Sequence, residues 1–138
     1  GTEDALLDRS KLGLRQESTV VLLATRAIAS KGWFHAVEMT QMLNDAGHAV
    51  DLMLIGDGPA AEDIAARKPA HVHLYGHVTN LPSYIAVADI GLLPSYFIGE
   101  SMPLVLLDFM AQGKPVVATD VGEIPDMIGE GPTAGGIV

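Results

Sequence analysis

The 138-residue chain contains no cysteine, which excludes disulfides and thiolate metal sites and points to a reducing, cytoplasmic setting. Aromatic residues are scarce: three Phe, three Tyr and one Trp cannot fill a core. Val, Leu, Ile, Ala and Met must therefore build it, the palette of a layered α/β domain. Apolar runs such as 20–24 fall far short of the roughly 18 residues a membrane span needs, and no signal-peptide pattern opens the chain. Basic residues are also few, eight Lys and Arg against 17 Asp and Glu for a formal net charge of −9, and they are scattered. That balance argues against nucleic acid or an anionic membrane as partner. A small anion can still bind where one or two cations are aimed at it.

What remains is regular. Runs rich in Val, Ile and Leu recur at 19–24, 49–55, 71–75, 89–93 and 115–118, with a possible sixth at 136–138. Between them lie helical stretches at 33–46, 60–67, 81–88 and 103–112, a short one near 124–128, and a leading helix over 4–12. Steady β-α alternation predicts a Rossmann-like, doubly wound parallel sheet with helices on both faces, in a single domain. The boundaries carry their own chemistry: Gly47 suits a left-handed helix stop, Asn80 can cap the helix that follows it, and Pro103 suits a first helical turn. The chain opens on Gly1-Thr2-Glu3 and ends within its last strand, so a piece of a longer protein is expected.

In such a sheet, ligands bind beyond the carboxyl ends of the strands, where the strand order reverses. If the first and fourth strands are the central neighbours, that crevice lies between "ATRAIASKGW" (24–33) and "PSYFIGESMP" (94–103). One loop supplies Arg26 and Lys31; the other leads Gly99 and Glu100 into a helix start. A helix N-terminus, a bidentate guanidinium and an ammonium together match a diphosphate. The nearby acids Glu100 and Asp108 would repel that group, so hydroxyls are their better partners. Cations for a diphosphate and acids for sugar hydroxyls describe a nucleotide-sugar site.

Four stretches make the chain recognisable: "RAIASKG" (26–32), "LIGDGP" (54–59), "ADIGLLPS" (88–95) and "ESMPLVLLDFMAQGKPVVATDVG" (100–122). In order and spacing they resemble the C-terminal, donor-binding domain of retaining GT-B glycosyltransferases of the family-4, group 1 type, over about residues 12–138. The resemblance implies a hexosyltransferase of polysaccharide biosynthesis, with the acceptor held by a separate N-terminal domain. It implies that Arg26 and Lys31 neutralise the donor diphosphate, that Glu100 holds sugar hydroxyls, and that Asp108 holds the ribose. Gly56 falls near the base or ribose, and His77 and Val78 fall where the family grips the base. The backbone of Gly99, Ser101, Met102, Leu104 and Val105 falls where it contacts sugar and phosphate. No cofactor or metal is implied beyond the donor itself.

Two positions depart from the family pattern. The second acid is Asp108 rather than Glu, one methylene shorter, and Pro103 stands where Gly is common, removing one N–H. The same resemblance also fits a sugar-nucleotide epimerase, a glucan synthase, or a binding module that has lost catalysis.

Other motifs have simpler readings. "GDGPAA" (56–61) fits the dinucleotide fingerprint, but it follows the second strand, and the next strand ends without a ribose-binding acid. A tight strand-helix turn is expected there. His71 and His73 share a strand face, but with no third ligand in view they read as solvated or hydrogen-bonded. Trp33 and Phe34 read as the core-facing start of a helix, and Asp120, Glu123 and Asp126 as caps of the short helix near Ile124.

Overall fold

The computed structural model describes residues 6–94, 104–118 and 136–137. The apolar runs form strands β1 (Thr19–Ala24), β2 (Val50–Ile55), β3 (Val72–Gly76), β4 (Ile90–Leu93), β5 (Val116–Ala118) and β6 (Gly136–Ile137). They pair in parallel in the order β3-β2-β1-β4-β5-β6. The chain winds outward from β1 to one edge, then returns to lay β4 on the other side of β1. The reversal point therefore lies between β1 and β4, as the sequence predicts.

The strands are buried on both sides because alternate side chains feed two separate cores. Val20, Leu22, Met53 and Ile55 meet Ile85 of α4 (Leu81–Val87) and Leu106 and Phe109 of α5 (Leu104–Ala111) on one face. Val21, Leu23, Leu52 and Leu54 meet Trp33 and Ala36 of α2 (Trp33–Asp45) and Ala60 and Ile64 of α3 (Pro59–Arg67) on the other. Phe109 lies against Gly91 of β4: a Cβ there would come within 2.8 Å of three ring carbons. Because Phe109 is fully buried, Gly91→Ala should destabilise the fold by about 1–3 kcal/mol. An unchanged urea midpoint would show that the ring can yield.

Among the predicted boundaries the leading helix changes most. The leading helix does not span 4–12; α1 is Arg9–Leu12, because the Asp8 side chain accepts the Lys11 N–H and fixes the start one residue before Arg9. Asn80 precedes α4 as expected but caps it only through its carbonyl, which accepts the Ser83 N–H at 2.9 Å; its side chain makes no cap bond. The amphipathic face of α5 is narrower than a core helix would show: Leu106 and Phe109 are buried, whereas Leu107, Asp108 and Met110 are exposed. Gly47, at φ 95°, does close α2. The short helix near 124–128, with Asp120, Glu123 and Asp126, lies outside the described residues, as does Pro103.

Candidate functional site

Two loops at the carboxyl ends of β1 and β2 are locked together by backbone. Ala27 N–H donates to the Asp57 carbonyl at 2.9 Å, and Ala60 N–H donates to the Ala27 carbonyl at 2.9 Å. Glycine makes this approach possible. A Cβ on Gly56 would collide with the Thr25 carbonyl, and one on Gly58 with the Ala27 carbonyl. Both glycines also adopt positive φ, 139° and 147°, which side-chain-bearing residues avoid. The "GDGPAA" segment is thus the expected strand-helix turn, with Gly58 preceding α3 and Pro59 in its first turn.

Below this clamp, the fully buried Trp33 donates its indole N–H to the Thr25 hydroxyl at 2.8 Å. That hydroxyl in turn donates to the Arg26 carbonyl at 3.0 Å. The loop then passes through a 3₁₀ turn, Ala29–Lys31, and a left-handed Gly32 into α2. Gly32 touches the end of β4: any Cβ there would overlap the Pro94 carbonyl. The loop after β1 is therefore fixed against β2 on one side and β4 on the other.

Arg26 is exposed and Lys31 half-buried. Burial, and after it the positive charge of Arg26, lowers the pKa of the Lys31 ammonium below that of an ordinary lysine. The two cations are near enough to repel, a cost that an anion between them would relieve. Beside Arg26 opens a cavity of about 240 Å³, lined by Thr25 and Arg26 after β1, Gly56 and Asp57 after β2, and His77 and Val78 after β3. Its wall is completed by Ala24, Ile55 and Leu81, so it joins an apolar floor to a polar rim.

Four predicted site residues, Arg26, Gly56, His77 and Val78, thus meet around one cavity; Lys31 does not line it, but is coupled by charge to Arg26. Val105 is half-buried in α5 against the core, and Leu104 begins that helix. Asp108 is exposed on α5, with no hydrogen bond or ion pair among the described residues. Gly99, Glu100, Ser101 and Met102 lie outside the described residues. Sequence reasoning missed Thr25, Asp57 and Leu81 as cavity walls; their adjacency to Arg26, Gly56 and the "HVTN" segment was the available signal.

The opposite end of the sheet carries a different cluster. Asp51, 1% exposed, accepts hydrogen bonds from Ser18 Oγ (2.5 Å), His73 Nε2 (2.8 Å), Arg15 Nε (3.0 Å) and Arg15 N–H (3.3 Å). Burial pushes its carboxyl up, but the bonds from Ser18, His73 and Arg15 outweigh that and hold it at about 2. His71, at 4.0 Å, stands just outside the cluster. His73 is thus explained by a carboxylate, as the hydrogen-bonded reading expected, whereas His71 precedes β3 at φ 64° and does not share its strand face.

The comparisons with known proteins agree with one another. A family model described as "Glycosyl transferases group 1" matches residues 18–138. A Bacillus subtilis (strain 168) protein named as the teichuronic acid biosynthesis glycosyltransferase TuaC is 33% identical over 124 residues, 88% of this chain and 30% of its own length. Among solved structures, WaaG, a glycosyltransferase involved in lipopolysaccharide biosynthesis, superposes with a TM-score of 0.75 at 25% identity, over 94% of this chain and 36% of that one. Anabaena HepE, solved with UDP-glucose, gives 0.77 at 23% identity, over 94% and 37%. The chain spans about a third of the length of TuaC and of two Streptomyces kanamyceticus relatives that it matches, 30% to 33%. Among the described residues, no helix is long and apolar enough to cross a membrane.

Proposed function

The chain belongs to the glycosyl transferases group 1 family, and from that premise we propose that it is the donor-binding domain of a two-domain GT-B enzyme. That enzyme transfers a sugar from a nucleoside diphosphate to a glycan or lipid acceptor, with retention at the anomeric carbon. The observation that carries the reading is the meeting of Arg26, Gly56, His77 and Val78 around one cavity at the carboxyl ends of β1, β2 and β3. Lys31 is close enough to Arg26 to feel its charge, which supports a second cation near the cavity.

Each group then has a task. The base lies on the apolar floor by Val78 and Leu81, with His77 and Gly56 at its edge. Arg26 grips phosphate oxygens in a fork, and Lys31 adds a point charge. When the bond from the anomeric carbon to the phosphate oxygen breaks, its electron pair passes to the diphosphate. The two cations, already in position, stabilise that charge by about 3–4 kcal/mol each. Glu100 holds sugar hydroxyls, Asp108 holds the ribose, and the backbone of Gly99, Ser101, Met102, Leu104 and Val105 completes the cradle. Two cations supply the leaving-group charge balance, so the reading calls for no metal. The acceptor belongs to a separate N-terminal domain, and these 138 residues alone should bind donor and transfer nothing.

A thermal-shift panel of UDP, GDP, ADP and their sugars tests the reading. At about a hundred times its Kd a ligand contributes ~2.7 kcal/mol, enough to raise Tm by several degrees. A panel that moves nothing at millimolar concentration would sink it. Asp108→Asn is the companion measurement. Its side chain is exposed, so Tm without ligand should not change, whereas affinity for the best nucleotide should fall about tenfold through loss of a charged hydrogen bond. A lowered Tm with unchanged affinity would remove Asp108 from the ribose.

A further inference from the structure

Lys31 and Arg26 sit at the two ends of one loop, and like charges drive such a loop open unless something ties its ends. The tie is visible. Trp33 lies two residues beyond Lys31, and Thr25 one residue before Arg26. The 2.8 Å bond from the Trp33 indole N–H to the Thr25 hydroxyl spans the loop at its base. The Thr25 hydroxyl passes the constraint on by donating to the Arg26 carbonyl at 3.0 Å. That carbonyl is further held by the Ile28 N–H at 2.9 Å.

We propose that Trp33 and Thr25 are positioning residues for the diphosphate: their hydrogen bond staples the loop closed and holds Arg26 and Lys31 at one spacing before the ligand arrives. The inference rests on the donor-binding reading given above. It also explains a choice of residue that packing alone does not. The helix start needs a large apolar side chain facing the core, and Phe or Leu would serve; only Trp brings a donor-only N–H into that position. The indole is fully buried, so its N–H needs an acceptor. Supplying that acceptor from the residue next to Arg26 makes the core itself fix the cation. Sites of this kind act through preorganisation: a charge already aimed need not be reoriented when the ligand binds.

The test uses the 138-residue chain, titrated calorimetrically with UDP, GDP and ADP, and with the nucleoside of whichever binds tightest. Trp33→Phe keeps an aromatic ring but removes the donor; Thr25→Val keeps the shape but removes the acceptor. Each should weaken the diphosphate about fivefold, the worth of one hydrogen bond; Trp33→Phe, at a residue outside the cavity lining, should leave the nucleoside affinity unchanged. Thr25→Ser, which keeps the hydroxyl, should bind like wild type, and the double variant should bind no worse than either single one. A purely structural Trp33 would lower Tm in Trp33→Phe while diphosphate affinity stayed at the wild-type value, and that result would overturn the inference. Equal losses for diphosphate and nucleoside in Trp33→Phe would overturn it too. If wild type binds none of the three nucleotides, the donor-binding reading falls and takes this inference with it. If wild type binds and Lys31→Ala weakens that binding while Trp33→Phe and Thr25→Val do not, only the staple is wrong.

Discussion

Replacing Lys31 with alanine is expected to lower turnover of the complete enzyme by roughly a hundredfold or more, the usual cost of leaving a developing transition-state charge unmatched. The loss should fall on kcat as well as on kcat/KM, because the ammonium interacts more strongly with the departing diphosphate than with the intact donor. The surroundings of Lys31 strengthen the expectation. It is half-buried, and its pKa is lowered first by that burial and then by the charge of Arg26. A cation partly withdrawn from water and already repelled by a neighbour has much to gain from an anion. Lys31→Arg restores the charge without the point geometry and should recover part of the rate. Steady-state kinetics with the donor identified by the nucleotide panel would measure both. Wild-type turnover in Lys31→Ala would remove this side chain from the mechanism.

The second large effect concerns stability and lies at the far end of the sheet. Asp51→Ala should destabilise the chain by about 3–5 kcal/mol in urea unfolding, because it strips a buried carboxylate from partners that remain behind. Arg15 and His73 would lose their acceptor, and Ser18 its shortest hydrogen bond. A pH dependence follows with a definite sign. The folded carboxyl is held at about 2, below its ordinary 3.8, so its contribution is fully present above the unfolded value. It is lost as pH falls through the folded one. The stability gap between wild type and Asp51→Asn should therefore hold steady above pH ~4 and shrink by about 2 kcal/mol on descending to pH ~2. A gap that does not change across that window would show that Asp51 is not held as a carboxylate by this cluster.

The sheet was legible in the sequence because its strands are buried on both faces, leaving continuous apolar runs separated by glycine and proline. Strand β1 was read to the residue. Local competition explains what was misread. Asp8 captures an N–H and starts α1 late, and Asn80 leaves its capping to the backbone. The helix α5 is nearly all apolar in sequence, yet it turns Leu107 and Met110 outward beside Asp108. The Asp51 cluster was harder: its partners come from residues 15, 18 and 73, joined only once β2 lies between β1 and β3. One clue was present, a lone acid in the otherwise apolar "VDLMLI", since a charge in such a run must find partners.

For the candidate site, the halves differed in legibility. Arg26, Gly56, His77 and Val78 are grouped through the family resemblance, and the fold brings them together because strand ends in a parallel sheet open on the same side, so the loops after β1, β2 and β3 converge. The Trp33–Thr25 bond was invisible in one dimension. Nothing in the spelling of "ATRAIASKGW" shows that its last residue reaches back to its second.

The interlocking of two loops by Gly56 and Gly58 bears on how this scaffold can be altered. Thr25 and Ala27 present their carbonyls to positions where no side chain can stand, so residues 25–28 and 56–58 form a single cassette rather than two exchangeable parts. A graft that imports one loop from a relative with another nucleotide preference would bring a backbone its partner cannot seat. Transplanting both together would preserve the seating, and variation in preference should accordingly travel along this fold in paired blocks.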